Sequence, residues 1–447
     1  MEKIIKIYSS GQAKLQKEAL EIKLDIKDNK FNIPEDLLFT MSARENKKRA
    51  FLFVSRLIGK HIPIKPEVLK ITGAILARQW VMDRYNKTYS DIDVLIEGLK
   101  ELLKNDVFKR DESNELKSNI IKEAVKAANI KISLPKKTLF IGFAETATGL
   151  AQGVFNCFEN GWYIHTTREI IDNSTPNFVF KEEHSHAVNH MIYAPTKEYF
   201  NNFEEIVLID DEITTGNTAR NLIKNLPGES FGVISILDWR DKDKYENNGQ
   251  NIIFSSLTKG TVKCKKIDEV KGEELLKIKS YPNKHKDIKL KTPLYNENYI
   301  KYTGRFGLSY KESLDVEKQC KEHGAILNTY RTKERCLCVG EGEFIYLPCI
   351  ISSYMGEDVY FQSSTKSPVF PLNKEGYGNK NKVEFNAPNG DKIKNYLYNL
   401  PHDFYEDVFF FSERELKEDT KTELANIFST VGIKNITFVC FSEEGQI

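Results

Sequence analysis

Apolar and polar positions along the middle of the chain alternate between strand and helix patterns. Ile206-Val-Leu-Ile209 is an unbroken apolar run closed by Asp210, Asp211 and Glu212. It predicts a strand buried on both faces with acids at its tip. The polar turn Thr214-Thr215-Gly216-Asn217-Thr218 follows, and Ala219 to Lys224 reads as the start of a helix. Leu139 to Gly142 is a second apolar strand, followed by the small, hydroxyl-rich loop Phe143 to Gly149 and another helix. Gly161-Trp-Tyr-Ile-His-Thr-Thr-Arg168 is a third strand with a polar end, and Phe231 to Arg240 a fourth. Strands alternating with helices predict a parallel sheet, whose ligands gather at the carboxyl ends of the strands.

The flanking regions are read the same way. Pro66 to Tyr85 predicts a helix in which Gly73, Ala74 and Ala77 form a close-packing face, and Ile92 to Leu103 predicts another. The stretch around Phe51 to Ile58 fits a strand or a short helix. Beyond it, Lys60 and His61 are either contacts for an anionic substrate or solvated flanks of a core element. Glu21 to Lys27 alternates as a half-buried strand does, and Phe31-Asn32-Ile33 is expected to return beside it. Asn251 to Leu257 and Gly260 to Cys264 suggest a hairpin. The expected domains are an accessory or hood segment over 1–45, an α/β domain over 46–275, a lysine-rich linker over 276–299 and a second α/β domain over 300–447.

Composition narrows the class. With 65 Lys and Arg against 64 Asp and Glu, the net charge of +1 offers no electrostatic footprint for nucleic acid or an anionic membrane. Seven scattered cysteines without a CxxC pair suggest neither a zinc site nor a disulfide framework, which fits a reducing cytoplasm. No stretch has the length and apolarity of a signal peptide or a membrane span.

The chemistry concentrates at two loops. A turn of small residues at a helix start presents backbone N–H groups and the positive end of a helix dipole, which suits one phosphate. Asp210 and Asp211 beside it suit ribose hydroxyls, directly or through Mg²⁺, and phosphate plus diol is a ribose 5-phosphate. In the other loop, Ala144-Glu145-Thr146-Ala147-Thr148-Gly149, backbone N–H groups are again available for an anion. Glu145 fits either a Mg²⁺-bridged contact or a helix N-cap. Farther on, His184 and His186 stand with Lys181, Glu182 and Glu183, a cluster that suits zinc, proton transfer or a solvated surface.

The apolar strand, the paired acids and Thr214 to Thr218 resemble the phosphoribosyl-diphosphate signature of the type I phosphoribosyltransferases. The resemblance implies a parallel α/β sheet with flanking helices. It also implies Mg²⁺-dependent transfer of a phosphoribosyl group from 5-phosphoribosyl 1-diphosphate to a base-like nucleophile, or the reverse reaction. Asp210 and Asp211 would hold the ribose and metal, Thr214 to Thr218 the 5-phosphate, and Ala144 to Gly149 with Arg168 the diphosphate. The interval holding Glu183, His184 and His186 corresponds to a mobile loop that closes over the centre, where these groups would handle protons. A homodimer follows by family habit.

The last third repeats the plan. Leu337-Cys-Val-Gly340 matches Leu139-Phe-Ile-Gly142, and Glu343 follows its glycine as Glu145 does. Lys366 lies 26 residues beyond Gly340, as Arg168 does beyond Gly142. Aligning Val408 with Val207 places Phe411 and Ser412 where the aspartates stood. This third, with Thr365-Lys366-Ser367-Pro368 and Tyr302 to Leu308, resembles the TRSP domain that follows a phosphoribosyltransferase domain in bacterial tellurite-resistance and stress-response clusters. It implies a second, degenerate phosphoribosyltransferase-like α/β domain. A reading from a different class is a sensor that binds phosphoribosyl diphosphate or a nucleotide without turnover and signals through this third.

Overall fold

The computed structural model describes residues 2–9, 18–45, 49–104, 115–181, 189–240, 251–282, 284–332, 334–388 and 393–445. In chain order the strands that build the two main sheets are β1 (Glu2–Tyr8), β2 (Glu18–Asn29), β3 (Thr138–Gly142), β4 (Gly161–His165), β5 (Glu205–Ile209), β6 (Ser230–Asp238), β7 (Asn251–Lys266), β8 (His285–Lys291), β9 (Cys336–Gly340), β10 (Val359–Ser363), β11 (Asp407–Phe411) and β12 (Asn435–Ser442). The helices that matter below are α1 (Pro66–Tyr85), α2 (Thr148–Phe155), α3 (Asn217–Ile223), α4 (Tyr310–Asn328) and α5 (Tyr346–Ser353).

The first sheet runs β1-β2-β7-β6-β5-β3-β4, and Leu308–Ser309 closes its far edge. Its centre, β7-β6-β5-β3-β4, is parallel throughout, as the alternating pattern predicts. The apolar runs explain why: β3 and β5 are buried along their whole length and need cover on both faces. Helix α2 supplies part of that cover over β3, while the neighbouring helix α1 lies on β6 and β7. Its Gly73 lies so close to Gly153 of α2 that an added Cβ would meet the Gly153 carbonyl carbon at 2.6 Å.

Several boundaries differ from the sequence reading. β7 is one strand of 16 residues, not a hairpin. Gly260 marks a register shift where the strand passes β2, and a Cβ there would meet the Asp25 carbonyl oxygen at 2.5 Å. Phe31 to Ile33 does not return as a strand; the chain turns and forms the short helix Glu35–Leu38. The segment read as an accessory layer supplies β1 and β2 to the first sheet, and the segment read as a linker contains β8. Phe51–Ser55 is a strand, paired with Phe39–Ala43.

The second sheet, β8-β12-β11-β9-β10, is also parallel. Its strands β10-β9-β11-β12 follow the chain order of β4-β3-β5-β6, and the registers coincide. Gly142 pairs with Ile209 and His165, while Gly340 pairs with Phe411 and Ser363. The second copy of the plan is therefore real at the level of strand order. The alignment at Val408 is one residue off: Phe411 matches Ile209, so Ser412 and Glu413 take the places of Asp210 and Asp211.

Candidate functional site

In the parallel part of the first sheet, connections run to opposite sides from the neighbours β3 and β5. Such a reversal marks the carboxyl ends of β3 and β5 as the place where a parallel sheet takes its ligands. Both loops singled out by sequence lie there.

On the β5 side, Asp210 and Asp211 are half-buried at the strand tip. The Asp210 N–H donates to the Ile234 carbonyl at 3.0 Å, and the Asp210 carboxylate accepts the Asp211 N–H at 2.9 Å. The Asp211 carbonyl accepts the N–H groups of Ile236 and Leu237. Glu212 points elsewhere, to Arg49 at 2.5 Å; burial raises its pKa and Arg49 works against that. The turn then reaches Gly216 at φ 74, a left-handed conformation that favours glycine, and α3 starts at Asn217 rather than Ala219. The Asn217 N–H is within 3.3 Å of the Thr215 hydroxyl, and Thr215 itself is exposed.

On the β3 side the loop is buried. Glu145 is 6% exposed and Thr148 3%. The Ala144 N–H donates to the Thr166 hydroxyl at 2.8 Å, which also contacts His190 Nδ1 at 3.0 Å. The Ala147 N–H donates to the Phe143 carbonyl. Two of the N–H groups expected to face an anion are thus engaged within the protein.

Glu145 is not the N-cap of α2, a position held by Ala147. Its carboxylate pairs with the Lys60 ammonium at 2.5 Å, and both side chains are buried. Burial alone would raise Glu145, but Lys60, Arg168 and Lys366 outweigh it and hold the group below the ordinary carboxylate range. Lys60 also donates to the carbonyls of Gly342 at 2.8 Å and Ser364 at 2.7 Å, both in the second unit. It is neither a solvated flank nor open to a substrate. His61, also buried, is pushed down to about 3 by burial and by Lys60.

The loop after β4 brings Arg168 to the same region. Its backbone N–H donates to Glu343 Oε1 at 2.7 Å, and the Thr167 hydroxyl donates to Glu343 Oε2 at 2.6 Å. Glu183, His184 and His186 lie outside the described residues.

The equivalent place in the second unit is filled from within. Arg305 forks onto Glu413 at 2.8 and 3.0 Å, and the Ser412 hydroxyl donates to Glu341 at 2.5 Å. No counterpart of Thr214 to Thr218 precedes the helix Glu418–Thr430. Sequence reading overlooked Glu343, Arg305 and Glu413 as partners; the repeated pair Gly59-Lys60 and Gly304-Arg305 was the available signal.

Among the described residues no three His, Cys, Asp or Glu side chains converge on a metal position. Asp210 and Asp211 offer only oxygen donors, and one of these already accepts a backbone N–H. That donor set fits Mg²⁺, which keeps waters and takes substrate oxygens rather than needing a protein cage.

Strand order, acid-tipped strand and glycine-capped turn define an α/β protein whose parallel sheet reverses its winding between β3 and β5. Residues 38–261 match the family model described as phosphoribosyl transferase, and residues 302–428 match that of the TRSP domain C-terminal to it. The chain belongs to this phosphoribosyl transferase family and carries the TRSP domain. No curated protein matches its sequence. Among solved structures it is similar to adenine phosphoribosyl transferase from Trypanosoma brucei, crystallised with AMP, pyrophosphate and ribose-5-phosphate. That match has 15% identity and a TM-score of 0.27, covering 52% of this chain and 80% of the other.

Proposed function

We propose that the chain transfers a phosphoribosyl group between 5-phosphoribosyl 1-diphosphate and a base-like nucleophile, in either direction, in a bacterial stress-response setting such as tellurite resistance. The observation that carries this reading is the pairing of Asp210 and Asp211 with the Gly216-capped turn at the carboxyl ends of β3 and β5.

The 5-phosphate sits at the turn Thr214 to Thr218, held by backbone amides and hydroxyls. Asp210 and Asp211 accept hydrogen bonds from the ribose hydroxyls. Their charge favours the oxocarbenium character that builds at C1 as the C1–O bond breaks. The bonding electrons leave with the diphosphate, whose charge is met by Arg168 and by amides of the Ala144 to Gly149 loop other than those of Ala144 and Ala147. The nucleophile, a ring nitrogen by its chemistry, forms the new bond at C1, and Glu183, His184 or His186 takes its proton. Mg²⁺, when bound, would neutralise diphosphate charge beside Asp210 and Asp211.

Incubation with labelled phosphoribosyl diphosphate, Mg²⁺ and cell extract should yield a labelled product and free diphosphate. Asp210→Asn with Asp211→Asn should reduce turnover by about 100-fold or more, the scale of losing transition-state electrostatics, while the circular dichroism spectrum is unchanged. Persistence of activity in that variant would move the site elsewhere.

One observation favours a second reading. Burial of the Ala144 to Gly149 loop beneath the second unit suits a sensor that binds the sugar phosphate without releasing diphosphate. Stoichiometric binding without product, across a full metabolite pool, would select it.

A further inference from the structure

The two units exchange equivalent arms. Gly59 to Ile64 leaves the first unit and lies along β10 of the second. Ser363 N–H donates to the Gly59 carbonyl at 2.7 Å, and Ile64 and Phe361 exchange both backbone hydrogen bonds at 2.8–2.9 Å. Thr303 to Ser309 leaves the second unit and lies along β4 of the first. His165 N–H donates to the Gly304 carbonyl at 3.2 Å, and Leu308 pairs with Tyr163. His165 and Ser363 are register equivalents, so Gly59 and Gly304 are too. Each has positive φ, and each presses on the aromatic ring two residues before that equivalent position, Phe361 or Tyr163. Each arm continues into a helix, α1 or α4, that packs on its own unit through α2 or α5. The chain is built as a covalently joined pseudo-dimer.

Under this exchange the loops after β3 and β9 face one another. Glu343, the counterpart of Glu145, crosses to the first unit. Both of its carboxylate oxygens accept from the loop after β4, one from the Thr167 hydroxyl and one from the Arg168 amide. Arg305 backs it from the far side at 3.9 Å. Thr148, at the start of α2, closes the contact by donating its hydroxyl to the Glu343 carbonyl at 3.0 Å. Glu343 is 8% exposed, screened from water by these partners.

We propose that Glu343, supplied by the TRSP unit, is a positioning residue for the diphosphate side of the first unit's site. It fixes the backbone of Thr167 and Arg168 so that the Arg168 guanidinium is aimed at the diphosphate. Among the described residues, the Glu343 carboxylate is hydrogen-bonded by Thr167 and Arg168, on the diphosphate side, while the ribose 5-phosphate side is formed by Asp210, Asp211 and the turn at Gly216. The TRSP unit thus acts as a built-in partner subunit that completes one half of the site. This inference rests on the phosphoribosyl reading above.

The test compares two probes on the full-length protein by titration calorimetry with Mg²⁺: phosphoribosyl diphosphate and ribose 5-phosphate. Glu343→Gln turns one acceptor into a donor. It should weaken phosphoribosyl diphosphate binding about tenfold, the scale of a lost charged hydrogen bond, with ribose 5-phosphate binding within about twofold of wild type. Thr167→Val should act in the same direction, and Thr167→Ser, which keeps the hydroxyl, should restore wild-type binding. These two smaller changes keep the question open to measurement should Glu343→Gln misfold. Equal losses for both probes, or no loss for either, would overturn the inference and leave the phosphoribosyl reading standing. Failure of the wild-type protein to bind either probe would overturn both.

Discussion

Lys60 and Glu145 form an ion pair taken almost wholly out of water, at the seam where the two units meet. Such a pair contributes little net stability while intact, but half of it is costly to keep. Lys60→Met should destabilise the fold by about 3–5 kcal/mol in urea unfolding, because a buried carboxylate loses its cation. Adding Glu145→Gln should recover a large part of that loss, and its failure to do so would show that Lys60 acts through its two carbonyl contacts instead. His61 next to it gives a pH dependence of defined sign. Folded, it titrates at about 3 against an ordinary 6.5, because burial and Lys60 disfavour the charged ring. Below pH 6.5 the unfolded chain binds a proton there that the native state does not, so stability falls as pH drops from 6.5 towards 3. Between pH 6.5 and 5 the loss from this one residue is about 2 kcal/mol. The stability difference between wild type and His61→Asn should change by that amount across the same window; a constant difference would mean that the ring is not held neutral.

At the scale of elements, the exchanged arms depend on glycines that turn with positive φ against a flat ring. A Cβ on Gly304 would meet Tyr163 Cε1 at 2.2 Å, and one on Gly59 would meet Phe361 Cδ1 at 2.8 Å. Gly304→Ala should therefore cost more than Gly59→Ala, with about 2–3 kcal/mol for the former from overpacking and backbone strain combined. Thermal unfolding of the two variants checks the order. These arms also show where sequence reading stops. The helix α1 was legible end to end, because its apolar positions, its Pro66 at the start and its small close-packing face all agree. The core strands β3 and β5 and the turn at Gly216 were legible for the same reason: one local pattern decides each of them. Lys60 was not, because a lysine after an apolar run ordinarily reaches water, and the groups that hold it inside, the Glu145 carboxylate and the carbonyls of Gly342 and Ser364, are all distant in the chain. Glu343 was recognised as the counterpart of Glu145, but its bonds to Thr167 and Arg168 depend on how two units face each other, which no local spacing encodes. The single strand β7 was misread as a hairpin broken before Gly260, because a glycine that admits a neighbouring backbone looks the same in sequence as one that follows a bend.

For the whole molecule, the two sheets share edges and packing contacts rather than standing as separate modules. Leu308–Ser309 seals the edge of the first sheet, Gly59 to Ile64 seals the edge of the second, and Ile345 packs on Gly149 at the start of α2. A chain ended after Lys279 would expose the edge of β4 and the buried loop at Glu145, both prone to association. It should be aggregated or bind a hydrophobic dye strongly, whereas the full chain should unfold in a single transition. A well-dispersed amide spectrum from the shortened chain would refute this coupling.

On the function proposed above, the carboxyl ends of β3 and β5 hold a phosphoribosyl group. The most direct test is a crystal structure of the full chain grown with phosphoribosyl diphosphate and Mg²⁺. The expected result is the 5-phosphate on the amides from Gly216 to Thr218, with the ribose hydroxyls against Asp210 and Asp211. Strand ends closed over by the protein's own side chains, or the sugar bound elsewhere, would contradict it.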